Sequence, residues 1–388
     1  MRGSIFKQKN QAPGSWTVVI PLGRDPETGK RKQRWTTVKG SKHDAEKVLR
    51  ELLTSNDQGT LTKPSKVTVT AYLDRWLSEY AKPNLSPRSF ERYRDLVRQH
   101  FTSSFGKVAL TQLKPEHLQK HYTSCLEAGL NPMTVRYHHA VIHKALDTAL
   151  KWGLVSRNVA DAVEPPPKHR HEMETWDDWE IVRFLKATED SPYFALFHTV
   201  LYTGLRRSEA LGLQWQDIDF VFCQLSVRRG LHHLKDGSYV FTEPKSEKSR
   251  RTIALSPVAL LVFRDHRQRQ EQDGLLAGKP LQETNLVFSQ PDGKPLRPNT
   301  ITRAWQSAAK KASVKPIRFH DARHSHASML LKGGVHPKVV QERLGHSSIE
   351  MTLDIYSHVV PGIQEAAARR FDDLINHQVV NETSEQKR

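Results

Sequence analysis

The spacing of apolar positions changes period along the chain, and those changes divide it into three regions. Trp16-Thr17-Val18-Val19-Ile20 and the stretch from Gln33 to Val38 read as strands, separated by turn chemistry in Arg24-Asp25-Pro26-Glu27-Thr28-Gly29-Lys30. After Ser41, a helix-capping residue, Ala45, Val48, Leu49 and Leu52 recur at helical spacing. A small three-stranded sheet plus a helix is therefore expected over residues 1–60, two of its strands being legible. A polar linker from Asn56 to Ser65 follows. From 66 to 164 the period is helical throughout, with Val69, Leu73, Trp76, Leu77 and Tyr80, then Tyr93, Leu96 and Val97 behind Ser86-Pro87, then Val135, Ile142, Ala145, Leu146 and Ala149. This predicts an all-α bundle. Three consecutive prolines, Pro165-Pro166-Pro167, cannot continue a helix, so Val163 to Trp176 reads as a second linker.

The third region, 172–388, opens with a helix behind Thr175, with Asp177 and Asp178 in its first turn, and continues with another from Phe194 to Leu201. Three short strands at Gln224–Arg229, Tyr239–Glu243 and Arg251–Leu255 flank turns at Lys235-Asp236-Gly237 and Ser246-Glu247-Lys248. They predict one small antiparallel sheet, after which the chain returns to helices beyond Pro298. The expected fold class is multidomain α+β.

Charge narrows the partner. Lys and Arg number 59 against 42 Asp and Glu, a formal net charge of +17. Such an excess favours a polyanion, because each phosphate neutralised releases condensed counterions. Lys30, Arg31, Lys32 and Arg34 concentrate it near the first turn, in a unit whose alternative is a solvated hairpin tip. Within the bundle, Arg88, Arg92, Arg94, Arg98, Arg136, His138, His139 and Lys144 fall opposite the apolar stripes, so its surfaces are expected to be cationic. His138, His139 and His143 resemble a metal cluster, but no carboxylate or cysteine stands at ligand spacing, which favours surface or DNA-facing roles. The two cysteines, Cys125 and Cys223, have no CxxC spacing. No apolar run reaches membrane-spanning length and no signal-peptide core opens the chain, so a soluble cytoplasmic protein is expected.

The chemistry is concentrated late in the chain. Thr203-Gly204-Leu205 leads into a helix carrying Arg206 and Glu209, three apart and so on one face. Lys245 sits at a strand turn, with Lys248 its nearest rival. His320 and Arg323 are three apart at a helix start and face one target. Gly333-Gly334, Pro337 and Gly345 punctuate two helices, fixing His346 on a tight junction. Tyr356 lies in line with Ile349 and Leu353, which alone is core spacing. Together these residues suit a phosphodiester: arginine forks grip non-bridging oxygens, imidazoles move protons near neutral pH, and a phenol can attack phosphorus.

In this order the series resembles the tyrosine recombinase (phage integrase) family along essentially the whole chain. The family pattern of Arg, Lys, His-x-x-Arg, His or Trp, and Tyr is met by Arg206, Lys245, His320 with Arg323, His346 and Tyr356. The resemblance implies an arm-type DNA-binding domain at 1–60, as in lambda-like integrases, a core-binding domain at 66–164 and a catalytic domain at 172–388 with a tail helix. It also implies a 3′-phosphotyrosine intermediate, no cofactor and no metal. Implied partners are double-stranded DNA at core-type and arm-type sites, a homotetramer on synapsed DNA, an accessory DNA-bending protein and an excisionase. Ile363, Ala367, Phe371 and Leu374 form one apolar stripe, which packs either on its own domain or on a neighbouring protomer. Two other function classes are open to such a chain. A type IB topoisomerase would need no second DNA site, and a non-catalytic DNA-binding regulator would need none of the six residues.

Overall fold

The computed structural model describes residues 3–7, 14–24, 29, 31–57, 66–168, 173–244, 249–350, 352–353 and 371–372. The chain separates into two compact units, Met1–Arg170 and His171–Arg388, the division falling in the linker behind the three prolines.

The first unit opens with the antiparallel sheet β1-β2-β3, formed by Ser4–Phe6, Ser15–Arg24 and Arg31–Lys39. Its third strand is β1, the one that hydrophobic patterning left unmarked. The β2–β3 register runs from Ser15 opposite Lys39 to Pro21 opposite Gln33, then shifts before Arg24 meets Arg31. Pro21 has no N–H for the ladder, consistent with an irregularity at that point. Helix Lys42–Asp57 starts where Ser41 Oγ accepts from the Asp44 amide at 3.2 Å and the Asp44 carboxylate accepts from the Ser41 amide at 2.8 Å. Sheet and helix meet closely: a Cβ at Gly3 would lie 2.5 Å from Leu49 Cδ1 and 2.9 Å from the Val19 carbonyl oxygen.

The described residues from 66 to 164 are mainly helical, as expected. Pro87–Leu96, Pro115–Glu127 and Pro132–Lys151 each begin on a proline, where the missing N–H costs nothing. The helices Val69–Trp76 and Pro87–Leu96 each run on into a π-type turn, Leu77–Ala81 and Val97–Phe101. Trp76, Tyr72, Phe101, Leu118, Val141 and Ile142 fill the core. The polar ends of its aromatics are satisfied: Trp76 Nε1 donates to Thr148 Oγ1 at 3.1 Å and the Tyr72 hydroxyl to the Ala145 carbonyl at 2.5 Å. His138 corrects the surface reading: it is 2 % exposed and belongs to the interior. Its position one turn before Val141 and Ile142 places it on the same buried face.

In the second unit, Trp176, Phe184, Phe197, Trp305 and Phe319 build an aromatic core, with the two indoles stacked 4.9 Å apart. Helix Asp178–Ala187 is capped by Asp177, which exchanges hydrogen bonds with Glu180, so the cap lies two residues beyond the expected Thr175. The three expected strands are present as β5 Gln224–Val227, β7 Tyr239–Thr242 and β8 Arg251–Ala254, but with two unmarked strands they fall in two sheets: β4 Ile218–Asp219, β5 and β8 in one, β6 Gly230–His233 and β7 in the other. The reason is local. Gly237, at φ 87°, and the Leu234–Ser238 backbone bond close β6 and β7 into their own hairpin, while β5 pairs with the distant β8. Helices Asp321–Lys332 and Pro337–Leu344 share a small apolar cluster of Ala327, Leu331, Val340 and Leu344. That contact positions the chain leaving Leu344, on which the candidate site depends.

Candidate active site

Two helix ends meet at the site. Phe194–Thr203 stops at Gly204, φ 67°, and Pro337–Leu344 stops at Gly345, φ 66°, left-handed conformations that glycine adopts without strain. The space at Gly204 is closed as well, since a Cβ there would lie 2.5 Å from Leu344 Cδ2 and 2.8 Å from His326 Cδ2. Replacement of Gly204 by alanine is therefore expected to destabilise the second unit by at least about 1 kcal/mol, read as a lower urea midpoint.

Arg206 is the N-cap of helix Arg207–Leu211 rather than a member of it, and Glu209 is the third helical residue. Glu209 accepts from the Arg206 amide at 2.9 Å and from Arg206 Nη1 at 2.7 Å. Arg206 Nη2 donates to the Gly345 carbonyl at 3.0 Å. Arg323, 2 % exposed, donates Nη1 to the Gly204 carbonyl at 2.7 Å and Nη2 to the Leu344 carbonyl at 2.5 Å. Arg323 is thus fixed by carbonyls of both helix ends, and Arg206 by Glu209 and the Gly345 carbonyl, before any ligand arrives, the preorganisation an anion-stabilising site needs. Burial, then the charge of Arg206, pushes Arg323 down to about 9, which leaves it cationic at neutral pH.

Arg251 joins them although the motif reading passed over it. It donates Nη2 and Nη1 to the two oxygens of Glu209 at 2.9 and 3.3 Å, and Nε to the Arg343 carbonyl at 2.7 Å. A signal for it exists in the sequence: on β8 it is in phase with the buried Ile253 and Leu255, so an alternating strand turns a cation toward the core. A buried guanidinium requires a carboxylate, and Glu209 supplies it. Burial raises the Glu209 carboxyl, but Arg251 and Arg206 outweigh that and hold it below the usual carboxylate range. Three guanidiniums around one carboxylate leave positive charge over, suited to a phosphate.

His320 is the N-cap of Asp321–Lys332, exposed on one side and crowded by protein on the other. That crowding, followed by the charges of His324 and Arg323, pushes it down to about 4. His346 is 5 % exposed, its Nδ1 lies 2.9 Å from Thr352 Oγ1, and burial, then Arg323 and Arg206, push it down to about 3. Both imidazoles are neutral at pH 7. His324, unmarked in the sequence, stands edge-on to His320 with ring centroids 5.4 Å apart. Deeper in, His326 Nδ1 donates to the Leu201 carbonyl at 2.8 Å and Nε2 accepts from Arg343 Nε at 3.1 Å. The structure therefore brings Arg206, His320, Arg323 and His346 into one electrostatic neighbourhood. Lys245, its rival Lys248, and Tyr356 lie outside the described residues.

The depressed histidines fix a pH dependence. His198 and His326, pushed down by burial to about 4 and about 3, join His320 and His346 in binding protons more weakly when folded than when unfolded. Between the ordinary histidine value near ~6.5 and about 4 the unfolded chain takes up more protons. Stability should therefore be level above neutrality and fall as pH drops through this window, as a series of thermal melts would record. A melting temperature that rises on acidification contradicts the neutral-histidine core.

Among the candidate DNA contacts, Lys30 lies outside the described residues, as does the side chain of Lys32. Arg31 shares the exposed set of β3 with Gln33, Trp35, Thr37 and Lys39, whereas Arg34 falls in the half-buried alternate set. In the bundle Arg88 is exposed, Arg92 lies over the Tyr137 ring at 4.5 Å, and Arg136 donates to the Pro166 carbonyl at 2.5 Å. No helix among the described residues is long and apolar enough to cross a membrane.

Comparison with known proteins bears on the family and the fold. Residues 176–361 match the Phage integrase family, and residues 68–126 match the phage integrase N-terminal SAM-like domain. The ICEBs1 integrase of Bacillus subtilis is 28 % identical over 374 residues, spanning 96 % of this chain and 100 % of that one. The fold is that of the Tn1549 transposon integrase in complex with a circular intermediate DNA: TM-score 0.68, 20 % identity, 79 % of this chain and 99 % of that chain covered. It is also that of a lambda integrase tetramer bound to a Holliday junction: TM-score 0.56, 18 % identity, 90 % and 94 % covered.

Proposed function

This chain belongs to the phage integrase family of tyrosine recombinases, the site-specific DNA recombinases, and from that premise we propose that it integrates, and also excises, a phage or other mobile element through a 3′-phosphotyrosine intermediate. The observation that carries the reading is the Arg206–Glu209–Arg251 network with Arg323, a rigid cationic seat held by the carbonyls of 204, 344 and 345. Arg206 and Arg323 stabilise charge on the phosphorane; Arg251 and Glu209 hold Arg206 in place. The Tyr356 oxygen attacks phosphorus as its proton passes to His320, whose neutral state at pH 7 suits it to accept. An anionic phosphate beside His320 raises its proton affinity above that of the empty site. With Thr352 on Nδ1, His346 donates through Nε2 to a non-bridging oxygen. Lys245 protonates the departing 5′-oxygen, and religation reverses each transfer. No nucleotide is consumed, because the phosphotyrosyl bond conserves the energy of the broken phosphodiester.

The same reading assigns residues 1–60 to arm-type sites, 66–164 to core-type sites and 172–388 to catalysis. Arg31 acts from the exposed face of β3, while Lys30, Lys32 and Arg34 add phosphate contacts; Arg88, Arg92 and Arg136 belong to the core-type interface. Four protomers assemble on two duplexes, with a DNA-bending protein and an excisionase setting direction. Work on a bacterial chromosome places the protein in the cytoplasm, at the nucleoid. The residues from Ile363 to Leu374, of which Phe371 and Asp372 are described, are assigned to a tail donated to a neighbouring protomer. Truncation after Pro361 should then spare single-site binding and impair tetramer formation on core-site DNA; undiminished tetramers would rule out the donated tail.

The test of function is a supercoiled plasmid carrying a pair of attachment sites. Recombinant products from the paired plasmid, with no relaxation of a plasmid lacking the sites, are expected. Site-independent relaxation identifies a topoisomerase instead, and binding without strand breakage identifies a regulator.

A further inference from the structure

The interior of the helical bundle gathers groups that DNA binding does not explain. His121 and Cys125 stand one helical turn apart on Pro115–Glu127, on one face, and both are buried. His138 enters from Pro132–Lys151, and His100 from the π-type turn Val97–Phe101. Donor atoms of His100, Cys125 and His138 all lie within 4.8 Å of one another. His121 adjoins that group without being one of its three members: its Nε2 is 3.2 Å from His138 Nδ1 and 3.7 Å from Cys125 Sγ, while Cys125 Sγ is 3.9 Å from His138 Nδ1.

We propose that His100, His121, Cys125 and His138 form a structural transition-metal site that clamps three segments of the bundle, with Zn²⁺ the ion that this Cys-His₃ set fits. Tetrahedral zinc with bonds of ~2.0–2.1 Å to nitrogen and ~2.3 Å to sulfur places donors about 3.4 Å apart for two nitrogens and about 3.6 Å apart for nitrogen and sulfur. The separations of 3.2, 3.7 and 3.9 Å among His121, Cys125 and His138 lie close to those edges, and the His100 donor stands within 4.8 Å of those of Cys125 and His138. The surrounding contacts have the form that ligands need. With Nε2 on the metal, His121 keeps Nδ1–H for Ser104 Oγ, 2.8 Å away, which fixes its tautomer and ring plane. Cys125 ligates as thiolate, so metal binding must release its proton. Three of the four ligands are nearly inaccessible, whereas His100 is half-buried and gives the ion a way in. The signal missing from the sequence was the pairing of helices: Cys125 and His138 are thirteen residues apart, across a turn that folds them face to face.

Without metal, the same groups can only make a hydrogen-bonded ladder from Ser104 through His121 to His138, and that is the rival which experiment must separate. Purified full-length chain, stripped with a chelator, is titrated with Co²⁺ and then with Zn²⁺. The expected result is a thiolate-to-cobalt charge-transfer band with tetrahedral ligand-field bands, saturating at about one ion per chain and bleached by Zn²⁺. Cys223→Ser should keep the charge-transfer band and Cys125→Ser should lose it with helicity unchanged. Should Cys125→Ser fail to fold, His100→Ala at the half-buried position serves, with Co²⁺ affinity lowered about tenfold or more. A wild-type chain without the band, a band that survives Cys125→Ser, or an affinity indifferent to His100→Ala overturns the proposal.

Discussion

Tyr356→Phe is expected to bind core-site DNA with wild-type affinity and to cleave it not at all. The substitution deletes one oxygen, and everything that holds the cationic seat lies elsewhere: Arg206 on Glu209 and the Gly345 carbonyl, Arg323 on the carbonyls of Gly204 and Leu344. Folding, phosphate attraction and its salt dependence should therefore survive, while the only group assigned to attack phosphorus is gone. Binding is read by gel shift across a salt series and cleavage on a nicked suicide substrate. A phenylalanine variant that still forms a covalent adduct would show that another residue is the nucleophile.

Glu209→Ala should have the largest effect on stability, and it takes activity with it. Glu209 is the carboxylate partner of Arg251, whose side chain is only 6 % exposed, and of Arg206. Removing one partner of a buried pair strands the other charge, typically at a cost of about 3–5 kcal/mol. That is a large share of the ~5–15 kcal/mol that stabilises a domain. Arg206 also loses the contact that orients it, so cleavage should fall by about 10²-fold or more even where the variant remains folded. Coupling makes the test specific. Glu209→Leu combined with Arg251→Met removes both charges and should be more stable than the two single changes predict when added. Strictly additive urea midpoints would mean that the pair does not anchor the site.

How much of this was legible depended on whether the determining contacts were local. The bundle helices announce themselves through proline at their first positions and through runs such as Val135, Ile142, Ala145 and Ala149, because a helix is specified by neighbours three and four apart. Gly345 marked the junction at His346 for the same reason. The two-sheet arrangement was not legible, since β5 and β8 pair across an intervening hairpin that the spacing of strands does not reveal. Arg206 and Glu209 read as a pair on one helix face; Arg251, from β8, turns them into a network around the buried Glu209, and only the fold brings it there. His138 was placed opposite the apolar stripe and read as surface or DNA-facing, yet it shares its helix face with Val135, Val141 and Ile142. Composition favoured a polyanionic partner; the order of motifs narrowed this to a recombinase. The four described residues of the six-residue pattern then proved to share one electrostatic neighbourhood.

The account stands most directly on the identity of the covalent intermediate. Wild-type protein is incubated with a suicide substrate containing its core site, the trapped complex is digested with protease and nuclease, and the nucleotide-bearing peptide is sequenced by mass spectrometry. The expected product is a peptide from the segment after His346 carrying a nucleotide esterified through its 3′-phosphate to Tyr356. Linkage through a 5′-phosphate, attachment to any other residue, or cleaved DNA with no protein attached would contradict it.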